Sequence, residues 1–304
     1  AAGGHGMDGQ WCDDVHHAIW ATLSGERQGY YVDFGSLPTL AKALTSAFVH
    51  DGGYSAFRGR SHGRPVPPGT PGYRFVAFLQ NHDQVGNRAT GDRASATLSD
   101  GLLRVGAALL LTSAFTPMLF MGEEWGAGTP WQYFTDHLDE ELAEAVRTGR
   151  RGEFAAHGWG PEEVPDPQDE ATFLRSKLDW SEREREPHAA LFAWYRQLVG
   201  LRRRIGELSD PSLSSVRCAY DAEAGWFVMY RGRPEGAQSV AVVCNLADER
   251  QSVPVDGVPF EVPAASCPGF TCQPGRVDLD GESVVIARLL SVEPGGATGQ
   301  AGRA

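Results

Sequence analysis

Phe75-Val76-Ala77-Phe78-Leu79-Gln80-Asn81-His82-Asp83-Gln84-Val85-Gly86-Asn87 opens with five apolar residues, turns polar at Asn81 to Gln84, and has a glycine close behind. An apolar run of this length suits a strand buried on both faces. A polar cluster at the C-terminal end of such a strand is where α/β barrels carry their chemistry.

Two other stretches repeat the pattern. Thr116 to Met121 is apolar and runs into Gly122-Glu123-Glu124-Trp125-Gly126. Gly9-Gln10-Trp11-Cys12 runs into Asp13-Asp14-Val15-His16-His17 and reads as the tip of a third strand. Between them, residues 37–49 and 94–113 are helix-like, the second with Leu98, Leu102, Val105 and Leu109 at three-to-four spacing. The alternation is βαβαβ. In a parallel sheet it gathers the acidic and histidine groups on one face.

Composition fits an enzyme of this class and excludes others. The 304 residues exceed the usual size of one domain, and 41% hydrophobic content is ample for a packed core. No apolar run approaches the ~20 residues of a membrane span. A formal charge of −12 argues against nucleic acid as partner. Lys42 and Lys177 are the sole lysines; the arginine excess reads as base composition, and Arg202-Arg203-Arg204 close an expected helix where positive charge is favoured. Five cysteines, at 12, 218, 244, 267 and 272, are odd in number and scattered, and no secretory signal accompanies them. That usage points to a reducing cytoplasm and structural thiols, although Cys267 and Cys272 are close enough in sequence to pair. A zinc site would need more ligands than that pair provides.

Beyond the third strand the chain changes character. Residues 136–204 are charged and expected to be helical, with an amphipathic segment at 138–151 and another at 188–204 that carries Leu191, Phe192, Tyr195, Leu198 and Val199 on one face. After Pro211 come short β-type runs at Trp226–Tyr230, Val240–Cys244 and Val284–Ala287, divided by Gly, Pro and Asp as in a small antiparallel sandwich. The expected organisation is therefore residues 1–208 as barrel, 209–293 as β-sandwich and 294–304 as a disordered Gly/Ala-rich tail. A closed (β/α)8 barrel takes about 250 residues, and only three strand units precede residue 209. The expected fold class is α/β, the C-terminal portion of a (β/α)8 barrel followed by that sandwich.

Phe78 to Arg88 resembles the seventh-strand motif of the α-amylase superfamily, in which an Asn-His-Asp triplet sits at the top of the barrel. Gln10 to Ala18, Gly25-Glu26-Arg27 with Gly29-Tyr30-Tyr31, Phe57-Arg58-Gly59-Arg60, Phe120 to Gly126, Tyr133 to His137 and Arg175 to Trp180 together are similar to the trehalohydrolase family that acts on maltooligosyltrehalose. The resemblance covers most of residues 5–205, and the sandwich matches only in type.

This resemblance implies a retaining glycosidase that cleaves the α-1,4 bond next to a terminal trehalose unit and releases trehalose. Two carboxylates ~5 Å apart and water suffice for that reaction, so no cofactor and no metal are expected. Asp83 matches the strand-seven aspartate that stabilises the transition state, with His82 donating to the same sugar. Asn81, Gln84 and Glu124 are expected near the sugar subsites. Asp13 and His17, four residues apart, share one helix face and are expected to contact sugar, leaving His16 to pack. Tyr30 and Phe57 offer rings for stacking and Arg58 a fork for hydroxyl pairs, while loop packing would use the same three residues. No residue matches the strand-four nucleophile or the strand-five acid, so the chain by itself is expected to be an inactive fragment. Two alternatives share the same motifs: a branching or debranching enzyme acting at α-1,6 links, and a non-catalytic carbohydrate-binding fragment.

Overall fold

The structure, a computed structural model, describes residues 5–155, 164–233 and 236–291. Three short strands, β1 (Gln10–Trp11), β4 (Phe75–Ala77) and β5 (Thr116–Pro117), form one parallel sheet in the order β1-β4-β5. These are the three strands expected from the polar-ended apolar runs. Each is shorter than its run, because the ladder continues only through single bonds such as Cys12 N–H to the Val76 carbonyl (2.9 Å) and Met118 N–H to that of Ala77 (2.8 Å). Since all three run the same way, their C-terminal ends open on one side.

Helix α1 (Asp13–Ser24) begins directly at the end of β1. Asp13 and Asp14 sit in its first turn, where the helix dipole favours negative charge, and Gly25 ends it in the left-handed region at φ 75°. Helix α2 (Leu37–Ser46) starts at Ser36, whose hydroxyl accepts from the Thr39 amide at 3.2 Å, and stops three residues short of the expected end at Val49. An antiparallel hairpin follows, β2 (Asp51–Ser55) with β3 (Arg60–Gly63), where the sequence carries no alternating pattern. Gly63, at φ +80°, closes it; a Cβ there would stand 1.7 Å from the His50 carbonyl oxygen.

Asn81 is the cap of helix α3 (His82–Gly86), its side-chain oxygen accepting from the Gln84 amide at 2.7 Å. The expected helix at 94–113 is split. A 3-10 turn occupies Ala94–Ala96, and α4 (Asp100–Thr112) begins only at Ser99, whose hydroxyl takes the Leu102 amide and so restarts the helix. Helices α5 (Glu140–Ala155), α6 (Glu170–Arg175), α7 (His188–Arg204) and α8 (Gly206–Ser209) complete the first part. Arg202 in the last turn of α7 serves a different helix from its own. It donates to the carbonyls of Leu111, Ser113 and Phe115, at 3.0, 2.6 and 2.6 Å, and so satisfies the C-terminal end of α4.

The rest is antiparallel. Strands β6 (Val216–Asp221), β7 (Trp226–Arg231), β8 (Gln238–Asn245), β10 (Val258–Ala265) and β13 (Ser283–Leu290) form a sheet in the order β10-β13-β8-β7-β6. Strands β9 (Gln251–Pro254), β11 (Phe270–Gln273) and β12 (Arg276–Leu279) form a second, in the order β11-β12-β9. Alternation along β7 and β8 explains the layering. Val228, Tyr230, Ala241 and Val243 share a core with Val253, Val277 and Leu279 of the second sheet. Their neighbours Phe227, Met229, Val240, Val242 and Cys244 belong to the large core with Leu109, Leu110, Leu198 and Leu201 of α4 and α7. The inner strands β7, β8 and β13 are thus buried on both faces, which is why they read as continuous apolar runs. One core crosses position 209, and deleting a side chain such as Phe227 from it costs ~3–5 kcal/mol. The stretch 294–304 lies outside the described residues. Among the described residues no helix is long and apolar enough to cross a membrane. All five cysteines are free thiols.

Candidate active site

The C-terminal end of β1, the first turns of α1, the 3-10 helix Gly29–Asp33 and the tip of the β2–β3 hairpin enclose a cavity of about 360 Å³. Trp11, Asp13, His17, Tyr30, Phe57 and Arg58 line it, and His50, His62 and Arg64 close its far side. Five of the expected site residues therefore share one space. Its chemistry is mixed: aromatic faces for the apolar side of a sugar ring, and a carboxyl, an imidazole and a guanidinium for hydroxyls.

The adjacent histidines divide as expected from helix geometry. His16 is buried; its Nδ1 lies 2.6 Å from the Leu79 carbonyl and its Nε2 3.0 Å from the Tyr31 hydroxyl. A carbonyl only accepts, so Nδ1 carries the proton and Nε2 accepts from Tyr31. Burial pushes the His16 imidazole down to about 4, and burial with His16 alongside pushes His17 to about 3. Both are neutral near pH 7. His17 faces the cavity, its ring 4.9 Å from that of Tyr30 and 5.0 Å from that of Phe34.

Asn81, His82, Asp83 and Gln84 stand beside the cavity, not in its lining. His82 packs edge-on against Trp11 at 5.8 Å. Its Nε2 is 3.5 Å from the Asp83 carboxylate, and both side chains are exposed. Asp83 and Gln84 meet Asp13, whose carboxyl is raised above the usual range by burial, by the charges of Asp14 and Asp83, and despite a hydrogen bond with Gln84. Asn81 is buried and its side-chain oxygen is spent on the cap, so that end of it is less available to a ligand than the sequence suggested. Glu124 lies apart on the 3-10 turn Glu123–Trp125, where its carboxylate accepts from the Gly122 amide at 3.0 Å. Asp14 is likewise committed, to the amides of Val49 and His50 at 2.7 and 3.1 Å.

Several lining residues escaped the sequence reading. Trp11 appeared only inside a motif, and His50, His62 and Arg64 not at all. The stretch Asp51 to Gly63 is polar and rich in glycine, so no period-2 pattern announced a hairpin. Its one legible signal is a Gly-containing turn, Ala56 to Gly59, between two short segments.

The turn after α1 is tied to the loop after α3 through Arg88. Its guanidinium reaches Glu26 at 3.1 Å and Asp92 at 2.6 Å and lies 5.5 Å from the Trp20 ring, while the Trp20 indole N–H donates to Glu26 at 2.7 Å. Below Glu124, Glu123 is fully enclosed. Burial raises its carboxyl to about 8, opposed by the Phe120 amide, the Tyr195 hydroxyl at 3.1 Å and Arg93, and reinforced by Glu124. A carboxyl whose folded value lies above its unfolded one stabilises fully below the unfolded value. That contribution is lost as pH rises through about 8. Stability should therefore fall between pH 5 and pH 8.5, by at most a few kcal/mol at ~1.4 kcal/mol per unit. In a full-length relative carrying this sequence, Glu123→Gln should flatten this slope in urea titrations at several pH values; an unchanged slope would mean Glu123 titrates normally.

The chain is 60% identical over 205 residues to the malto-oligosyltrehalose trehalohydrolase of Arthrobacter ramosus, covering 67% of this chain and 36% of that protein. It is 49% identical over 256 residues to the enzyme of that name from Mycobacterium tuberculosis, covering 84% of this chain and 43% of that one. A putative alpha amylase from Salmonella typhimurium superposes with a TM-score of 0.79 at 35% identity, over 92% of this chain and 46% of that one. The alpha-amylase of H. orenii shares the fold at 14% identity, with a TM-score of 0.54 over 94% of this chain and 49% of that one. No family model matches. The fold is that of α-amylase-family glycoside hydrolases. Within them the chain belongs with the malto-oligosyltrehalose trehalohydrolases, and it spans less than half the length of these curated relatives.

Proposed function

We propose that the chain forms the strand-six to strand-eight side of a retaining glycosidase site that cleaves the α-1,4 bond next to a terminal trehalose unit of maltooligosyltrehalose. The observation that carries this reading is the cavity itself, where Asp13, His17, Tyr30, Phe57 and Arg58 meet at the end of a parallel strand beside Asp83. Asp83 acts as the exposed carboxylate that stabilises positive charge on the sugar ring, and His82 orients it. Asp13, in the cavity lining, is placed to accept from a sugar hydroxyl. The nucleophile and general acid come from barrel strands that this sequence does not include. The two facing sheets of residues 209–293 serve as an accessory sandwich, and the five free thiols fit a cytoplasmic enzyme.

A hybrid tests the reading directly: the matched 205 residues of the Arthrobacter relative replaced by those of this chain. The folded hybrid should release trehalose from maltooligosyltrehalose. Products cut at α-1,6 links, or no trehalose at all, would overturn the assignment.

The same hybrid reads out selectivity. Tyr30 and Phe57 face each other edge-on at 6.1 Å, and the Arg58 guanidinium lies 6.0 Å from the Phe57 ring. If this wall holds the trehalose unit, Phe57→Ala and Arg58→Ala should shift the kcat/KM ratio toward plain maltooligosaccharides by ~10-fold, the range expected for one lost contact. An unchanged ratio in both would return these residues to loop packing.

A further inference from the structure

Asp33 ends the 3-10 helix that carries Tyr30, and its carboxylate faces the turn of the neighbouring hairpin. One oxygen accepts from the Ala56 amide at 2.8 Å. The other accepts from the Ser55 hydroxyl at 2.6 Å and the Phe57 amide at 3.4 Å. The Ser55 hydroxyl in turn accepts from the Arg58 amide at 3.2 Å. Three successive backbone N–H groups at the tip are thus gathered by one carboxylate and one fully buried serine. His50, which lines the cavity, stands 3.7 Å from the same carboxylate. Burial works to raise the Asp33 carboxyl, but Ser55, the two amides and His50 outweigh it and hold the group below the usual range.

We propose that Asp33 is a positioning residue for the sugar site, a charged peg that holds Phe57 and Arg58 at a set height opposite Tyr30. The hairpin needs such a peg. Its strands pair irregularly between Asp51 and Tyr54, and Tyr54, Phe57 and Arg58 are exposed, so little apolar burial fixes the tip. Charge-assisted hydrogen bonds to backbone amides are the stronger kind, and the Asp33 side chain that accepts them is itself only 13% exposed. One short helix thereby sets both walls of the cavity: Tyr30 by its own side chain, and the Phe57–Arg58 wall through Asp33. A tip freed from the peg samples many heights, and ligand must order it again on binding.

This inference rests on the reading of the cavity as a sugar site, and its test separates the two. In the Arthrobacter hybrid, unsubstituted and carrying Asp33→Asn or Asp33→Ala, amide hydrogen exchange at residues 56–58 and the Kd for trehalose are measured, the latter by tryptophan fluorescence with Trp11 at the cavity wall. Exchange at the tip should rise at least about tenfold in Asp33→Ala, with trehalose affinity falling by a similar factor and Asp33→Asn lying between. Circular dichroism of the variants should match the unsubstituted hybrid. Unchanged tip exchange, or faster exchange with affinity unchanged, overturns the role of Asp33 while the sugar site stands. An unsubstituted hybrid that binds no trehalose overturns the sugar site and with it the positioning role of Asp33.

Discussion

Asp83→Asn in the Arthrobacter hybrid should lower trehalose release at least about a hundredfold in kcat while changing KM far less. The side chain is exposed at the end of a barrel strand, with His82 at 3.5 Å and Asp13 close by, so it is free to meet a ligand and is not consumed in packing. A carboxylate placed to face positive charge that develops only as the glycosidic bond breaks contributes to the transition state and little to ground-state binding. Its loss then falls on kcat and kcat/KM together, ~2.7 kcal/mol for a factor of a hundred. Asn keeps the shape and removes only the charge, so misfolding does not confound the result. Wild-type kcat in Asp83→Asn would end its assignment as the stabilising carboxylate.

The 304-residue chain expressed alone should release no trehalose and should aggregate. Retention of configuration needs one carboxylate to attack the anomeric carbon and another to protonate the leaving oxygen, ~5 Å apart. Asp83 cannot do both. Asp13 and Asp14 both line the cavity, Asp14 with one oxygen held by backbone amides, whereas Glu124 lies apart on its own turn. In the sheet order β1-β4-β5, the two outer strands each carry an unpaired edge among the described residues, and open edges recruit other chains. Product analysis and light scattering check both halves of the expectation. A soluble, active monomer would show that the acid or nucleophile lies in this sequence, and Asp13→Asn would be the first variant to examine.

Much of the fold was legible because its signals are local. Phe75 to Leu79 and Thr116 to Met121 announce parallel strands by apolar content and a sudden polar end, and α7 spans all of 188–204, although Trp194 and Leu201 are buried on it where Phe192 and Val199 were expected. Boundaries were read less well where a single side chain decides them. Ser99 restarts a helix that hydrophobic spacing alone continues from Ala94. Arg202 shows the same limit: its charge reads as decoration of its own helix end, yet it reaches three carbonyls at the end of α4.

By itself the sequence determined which residues meet at the strand ends, because strand direction and the i, i+4 spacing of Asp13 and His17 follow from backbone geometry. It also determined the trehalohydrolase kinship, carried by motifs such as Asn81-His82-Asp83. Only tertiary structure decided which of those residues face a common space. The hairpin Asp51 to Gly63 folds over the cavity because Asp33, some two dozen positions earlier, gathers its amides. Asn81 turned inward as a cap, and Glu124 went to a separate turn, for the same reason: each polar group near a strand end must find a partner, and which partner it finds depends on what the rest of the chain brings within ~3 Å.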